Sequence, residues 1–280
     1  MKKTIIFAIA AMVMAACAPK NQECCSGSSN NFPVINQDGK VAIVAHRGFW
    51  NCEGAGFSEN TIASLRCAQE AGLWGSEFDV QLTKDDVAVV NHNADIQGHK
   101  ISEHTYAELC ELTFPNGEHV STIDEYLAQG AKYPTTVLVL ELKAQATPEA
   151  EDKLVELCLA SAKANGVYDP SKLIFITFSH YMSLLIAEKC PEFVNQYLNG
   201  DFCPSELEAE GINGIDYVQQ LFDKHPFYVE EAHGHGMSVN VWTVNNAESM
   251  KKYADMGVDA ITTNEPLTAR EVLGDKEFKL

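Results

Sequence analysis

A chain of 280 residues with 46% apolar side chains is long enough to bury one large core. Its formal charge of −19 argues against nucleic acid and anionic membrane surfaces as partners, so an anionic substrate needs a local cation to hold it. Nine cysteines occur without a C-x-x-C spacing, which leaves little support for a structural zinc site.

The chain opens with "MKKTIIFAIAAMVMAAC": basic Lys2 and Lys3, an apolar run from Thr4 to Ala16, and small residues before Cys17. This reads as a secretory signal over 1–16, too short to span a bilayer comfortably. Its "MAAC" ending resembles the lipobox of bacterial lipoproteins, with Cys17 as the lipidated residue; plain secretion is the alternative. Residues 17–40 are polar and read as a flexible tether, so the expected product is exported and lipid-anchored to the bacterial envelope, facing the periplasm. Cys24 and Cys25 fall in that tether. Cys67, Cys110 and Cys158 sit among apolar helical positions and read as buried thiols.

Beyond the tether, apolar strand-like runs alternate with amphipathic segments. "KVAIVAH" (40–46) comes first, then a loop and the helical "SENTIASLRCAQEAG", with Asn60 as its expected cap and Gly72 as its stop. "SEFDVQL" (76–82) and "VAVVNH" (87–92) follow. The stretch from Asn93 to Val120 is longer than a usual βα loop and reads as a small insertion over the mouth. "STIDEYLAQG" carries Ser121 and Asp124 at capping-box spacing. "TTVLVLELK" (135–143) is strand-like, and the next helix starts with Thr147 as cap and Pro148 at its first position. Strand candidates continue at 172–178, 192–199, 213–218, 237–244 and 258–263. With "VAVVNH" set aside as an appendage of the second strand, eight βα units remain. The predicted class is α/β, a (β/α)₈ TIM barrel over 41–280. A doubly wound open sheet is the runner-up, but no G-x-G-x-x-G follows the first strand.

Catalytic groups of such a barrel sit at the C-terminal strand ends. Those ends carry His46 and Arg47, Glu77 and Asp79, then His92, Glu141 with Lys143, and Trp242. Residues i and i+2 of a strand share a face, so Glu77 and Asp79 point one way. Three converging carboxylates need a cation among them, and an all-oxygen set suits one Mg²⁺ or Ca²⁺ better than zinc. Two histidines, an arginine and a lysine around that ion make a phosphoryl-transfer set.

In order, "HRG" (46–48), "SENT" (58–61), "EFDVQLTKD" (77–85), "VVNH" (89–92), "LELK" (140–143), "VWTVN" (241–245) and "VDAITTNEP" (258–266) resemble the glycerophosphodiester phosphodiesterase family. The resemblance implies a metal-dependent TIM-barrel hydrolase that releases glycerol 3-phosphate and an alcohol. It assigns Glu77, Asp79 and Glu141 to the metal, His46 and His92 to acid/base catalysis, Arg47 and Lys143 to the phosphate, and Trp242 to the substrate pocket. Three positions depart from the family pattern: Asn93 where Asp follows the histidine, Ser58 for Pro, and Asn264 for Asp. The competing readings are an inactive lipid-anchored binding protein of the same fold and a barrel phospholipase acting on intact lipids. The "HGH" at 233–235 and His99, His104 and His119 read as surface histidines.

Overall fold

The computed structural model describes residues 40–274; the expected signal, Cys17 and nearly all of the tether lie outside the described residues. Runs of Val, Ile, Leu and Phe that are apolar on both faces form strands only where both faces are covered, which a parallel sheet ringed by helices provides. The strands in chain order are β1 (Ala42–Ala45), β2 (Gly75–Leu82), the short β3 (Ala88–Val90), β4 (Asp95–Ile96) and β5 (His99–Lys100), and then β6 (Val137–Leu142), β7 (Leu173–Thr177), β8 (Val194–Tyr197), β9 (Gly214–Val218), β10 (Ser238–Trp242) and β11 (Ala260–Thr263). Eight of them pair in parallel in the order β1, β2, β6, β7, β8, β9, β10, β11, and β1 pairs with both β2 and β11. The sheet therefore closes into the expected barrel.

Strand parity divides the core. Ala42 and Val44, Val137 and Val139, Ile174 and Ile176, and Val194 point inward and fill the barrel with Trp74, Leu198 and Ala260. Phe78, Val80, Leu138, Leu140 and Leu142 point outward and pack beneath the surrounding helices. The appendage foreseen at 87–92 is β3, antiparallel to β2 with Val80 opposite Val90. The segment after it carries the β4–β5 hairpin, the short helix α2 (Tyr106–Leu109) and a small apolar core of Val89, Ile96, Ile101, Leu109 and Val120.

Two caps differ from the sequence reading by one residue. Helix α1 (Ile62–Glu70) is capped by Thr61 in a reciprocal box with Ser64. Asn60 is not free to cap it, because its amide is taken up by Asp79. Helix α3 (Ile123–Gly130) is boxed by Thr122 and Glu125, since the Ser121 carbonyl is drawn to the β3 edge, where it accepts the Val90 N–H at 2.9 Å. Helix α4 (Pro148–Ala164) has its Thr147 cap and leading proline as expected. Cys158 is buried, whereas Cys67 and Cys110 are only half-buried. No described helix is long and apolar enough to cross a membrane.

Candidate active site

The loop after β1 turns sharply. Arg47 and Gly48 both adopt left-handed backbone, with φ of 58° and 79°. At Gly48 a Cβ would run into the Ser64 side chain and lie 2.7 Å from its backbone carbon, so only glycine fits there. The turn aims the Arg47 backbone N–H at Glu77 Oε2, 2.7 Å away. It also sets the Arg47 Nη1 against both oxygens of Glu59 at 2.8 and 3.0 Å.

Glu77 and Asp79 project from the inner face of β2, and Asp79 lies in register with Glu141 on β6. One oxygen from each of Glu77, Asp79 and Glu141 falls within 4.8 Å of the others, and all three residues are buried. Asn60, itself in left-handed backbone, clamps Asp79 from both sides. Its Nδ2 donates to Oδ2 at 2.8 Å, and its Oδ1 accepts the Asp79 backbone N–H at 3.0 Å. Lys143 Nζ lies 2.8 Å from Glu141 Oε1 and 3.3 Å from Asp79 Oδ1. It is off the hydrogen-bond direction to either, so both oxygens are buried without a hydrogen bond.

Burial, together with the neighbouring charges of Asp79 and Glu141, pushes the Glu77 carboxyl well above the usual carboxylate range. Burial and Asp79 likewise push Glu141 up to about 8. Burial acts the same way on Asp79, but Lys143, His92, Asn60 and Arg47 outweigh it and hold its carboxyl below the usual range. Three acids this close stay ionised together only around a cation. The all-carboxylate donors and their orphaned buried oxygens fit a hard divalent ion.

Both histidines are gripped at Nδ1 by an amide. His46 Nδ1 is 2.8 Å from Asn264 Oδ1, and His92 Nδ1 is 3.1 Å from Asn93 Oδ1. An amide oxygen only accepts, so each ring carries its proton on Nδ1 and leaves Nε2 free. Burial and the Arg47 charge lower His46 to about 4.

An open-mouthed cavity of about 490 Å³ has His46, Arg47, Glu77, His92 and Glu141 along one side. Ile176, Phe178, Leu198 and Trp242 form the other side, with Asp216 among them. Trp242 meets the Phe178 ring edge-on at 5.7 Å and donates its indole N–H to the Asp216 carbonyl at 3.0 Å. Six of the eight barrel residues singled out from sequence thus line one cavity. Asp79 lies behind that wall and Lys143 bridges two of the carboxylates. Among the other histidines, His233 pairs with Asp259 at 3.0 Å, His99 packs on His104, and none lines this cavity.

Four neighbours escaped the sequence reading. Glu59 and Asn60 lay inside the quoted "SENT", but a left-handed asparagine cannot be read from spacing. Asn264 stood out only as a departure from the family pattern. Asp216 is a lone acid on an apolar strand, without the i+2 partner that marked Glu77.

The model of the glycerophosphoryl diester phosphodiesterase family matches residues 46–268. A glycerophosphodiester phosphodiesterase of Caldanaerobacter subterraneus subsp. tengcongensis is 27% identical over 82% of this chain and 96% of its own. One from Bacillus subtilis is 26% identical over 81% of this chain and 84% of its own. The crystal structure of a glycerophosphodiester phosphodiesterase from Parabacteroides distasonis superposes with a TM-score of 0.80 at 38% identity, covering 84% of this chain and 97% of that one.

Proposed function

The chain belongs to the glycerophosphoryl diester phosphodiesterase family, and from that membership we propose that it hydrolyses glycerophosphodiesters to glycerol 3-phosphate and an alcohol, with histidine acid/base catalysis at a divalent-cation site. The observation that carries this reading is the meeting of a buried carboxylate triad and two amide-anchored histidines at one cavity.

Glu77, Asp79 and Glu141 would hold Mg²⁺ or Ca²⁺, and the chemistry such a cation supplies is neutralisation of charge on a phosphate oxygen. Arg47 adds a fixed positive charge, with its guanidinium braced by Glu59 and its backbone by Glu77. Burial pulls the Lys143 ammonium down, but Glu141 and Asp79 outweigh it and raise its pKa, so it is the second cation beside the phosphate. His46 is neutral at pH 7 and takes the proton from the attacking oxygen, that of water or of the neighbouring glycerol hydroxyl. His92, half-buried and lining the same cavity, acts as the imidazolium: its Nδ1–H stays on Asn93 and its Nε2–H goes to the departing alkoxide. Trp242 and Phe178 give one ester arm an apolar wall.

The test is release of glycerol 3-phosphate from glycerophosphocholine, glycerophosphoethanolamine and intact phospholipid, with and without chelator. Chelator-sensitive release from the first two is expected. No such product from any substrate would overturn the reading in favour of a binding protein, and release from intact phospholipid alone would favour a phospholipase. We further propose export and anchoring by lipid on Cys17, on the strength of "MAAC". Retention in the membrane fraction that Cys17→Ser abolishes is the check.

A further inference from the structure

Asp216 is an acid that the proposed mechanism leaves idle. Parity places it on the inner face of β9, in register with Asn240 on β10. It is 1% exposed, and its Oδ1 has no hydrogen-bond partner. Leaving such an atom buried and unpaired costs stability, and a ligand able to pair with it would remove that cost. Beside the polar Asn240, its neighbours along the cavity wall include Ile176, Phe178 and Leu198, with the Trp242 indole N–H locked to the Asp216 backbone carbonyl. Arg47, Glu77 and the histidines lie on the other side. A phosphodiester whose phosphate meets Arg47 therefore lays one ester arm along the wall that contains Asp216.

We propose that Asp216 is a specificity residue that hydrogen-bonds a hydroxyl of the substrate's glycerol arm, so that polyol diesters are selected over diesters lacking that hydroxyl. This rests on the hydrolase reading above. Burial and the nearby Glu141 outweigh a hydrogen bond from Asn240 and push the Asp216 carboxyl well above the usual range, which favours the form that both donates and accepts. That chemistry matches an alcohol and is a poor match for an ammonium head group. The rings of Trp242 and Phe178 cover the carbon skeleton of the same arm.

The experiment measures kcat and KM of the metal-replete full chain for glycerophosphocholine, glycerophosphoethanolamine and bis(p-nitrophenyl) phosphate, a diester without glycerol. Asp216→Leu and Asp216→Ala are expected to lower the preference for the two glycerol diesters over the nitrophenyl diester by about tenfold, through KM, as for one lost hydrogen bond. Asp216→Asn, which keeps a donor and an acceptor, should retain the wild-type preference within about threefold. An unchanged preference in both truncated variants, with wild-type Tm, overturns the proposal. So does a loss in Asp216→Asn confined to the choline and ethanolamine substrates, which would put the cationic head group at this wall. A wild-type chain that cleaves none of the three fails the hydrolase reading itself, which is a different result.

Discussion

His46 is held from the neighbouring last strand of the barrel: its Nδ1 lies 2.8 Å from Oδ1 of Asn264, a residue 218 positions later in the chain. Asn264 is itself fixed, its backbone N–H donating to Asn245 Oδ1 at 2.9 Å and its Oδ1 also accepting the Trp50 indole N–H at 3.3 Å. The amide supplies direction without charge. The family pattern has a carboxylate here and another after His92, so this chain orients both imidazoles through a neutral amide at Nδ1 in place of a carboxylate. Asn93 thus keeps the orienting contact that its substitution for Asp had put in question.

The first prediction follows from that neutrality. A carboxylate at 264 would favour the protonated form of His46, raising it from about 4 by about 1–3 units. Because His46 acts as the neutral base, the acid limb of kcat/KM against pH should move up with it in Asn264→Asp. Asn93→Asp puts the carboxylate at an exposed position, where solvent and salt screen it, so the profile should move less than in Asn264→Asp. Profiles at saturating metal check both, and two unmoved profiles would reduce the asparagines to packing.

The histidines themselves are tested by His46→Asn and His92→Asn. Loss of one proton-transfer group should lower kcat about 10²- to 10⁴-fold with KM little changed. Turnover near wild type in either variant, at wild-type Tm, would remove that residue from the chemistry.

The triad predicts a metal requirement. Exhaustive chelation should abolish turnover, and titration with Mg²⁺ or Ca²⁺ should restore it. Glu141→Gln removes one anionic donor from a three-carboxylate set and should raise the half-saturating metal concentration at least tenfold. It also removes the group that Lys143 approaches at 2.8 Å. For that reason metal binding, read by calorimetry, is the decisive measurement rather than activity alone.

How much of this is legible in the sequence depends on what each residue needs. Glu77 and Asp79 are readable because period-two parity on an apolar strand forces two acids inward together, whatever the surrounding loops do. Glu141 and Lys143 follow by the same rule. Asn60 is the counter-example. Its spacing suits a helix cap, but φ of 55° turns its amide into the core against Asp79. The cap of α3 slips by one residue because a strand edge, invisible locally, claims the Ser121 carbonyl. Asp216 does not stand out, since one acid on one strand lacks the partner that makes Glu77 conspicuous. The sequence pattern resolves which face a residue takes; it does not resolve which neighbour consumes its hydrogen bonds.

The last prediction concerns stability below neutral pH. His46 is about 4 in the folded chain and near 6.5 when unfolded. Between those values the unfolded state binds a proton that the folded state refuses, so νU exceeds νN and stability rises with pH across that window. Acidification from pH 8 therefore costs the fold nothing through His46 until about pH 6.5. It then costs about 2–3 kcal/mol by pH 4.5, a depressed pKa converting at 1.36 kcal/mol per unit. The carboxylates titrate in the same range, so the signature is a difference between two chains. Urea unfolding of wild type and His46→Asn at pH 8 and pH 4.5, both in chelator, should show wild type losing about 2–3 kcal/mol more than the variant. Equal losses would mean that the folded chain protonates His46 as readily as the unfolded one, so that burial does not depress it.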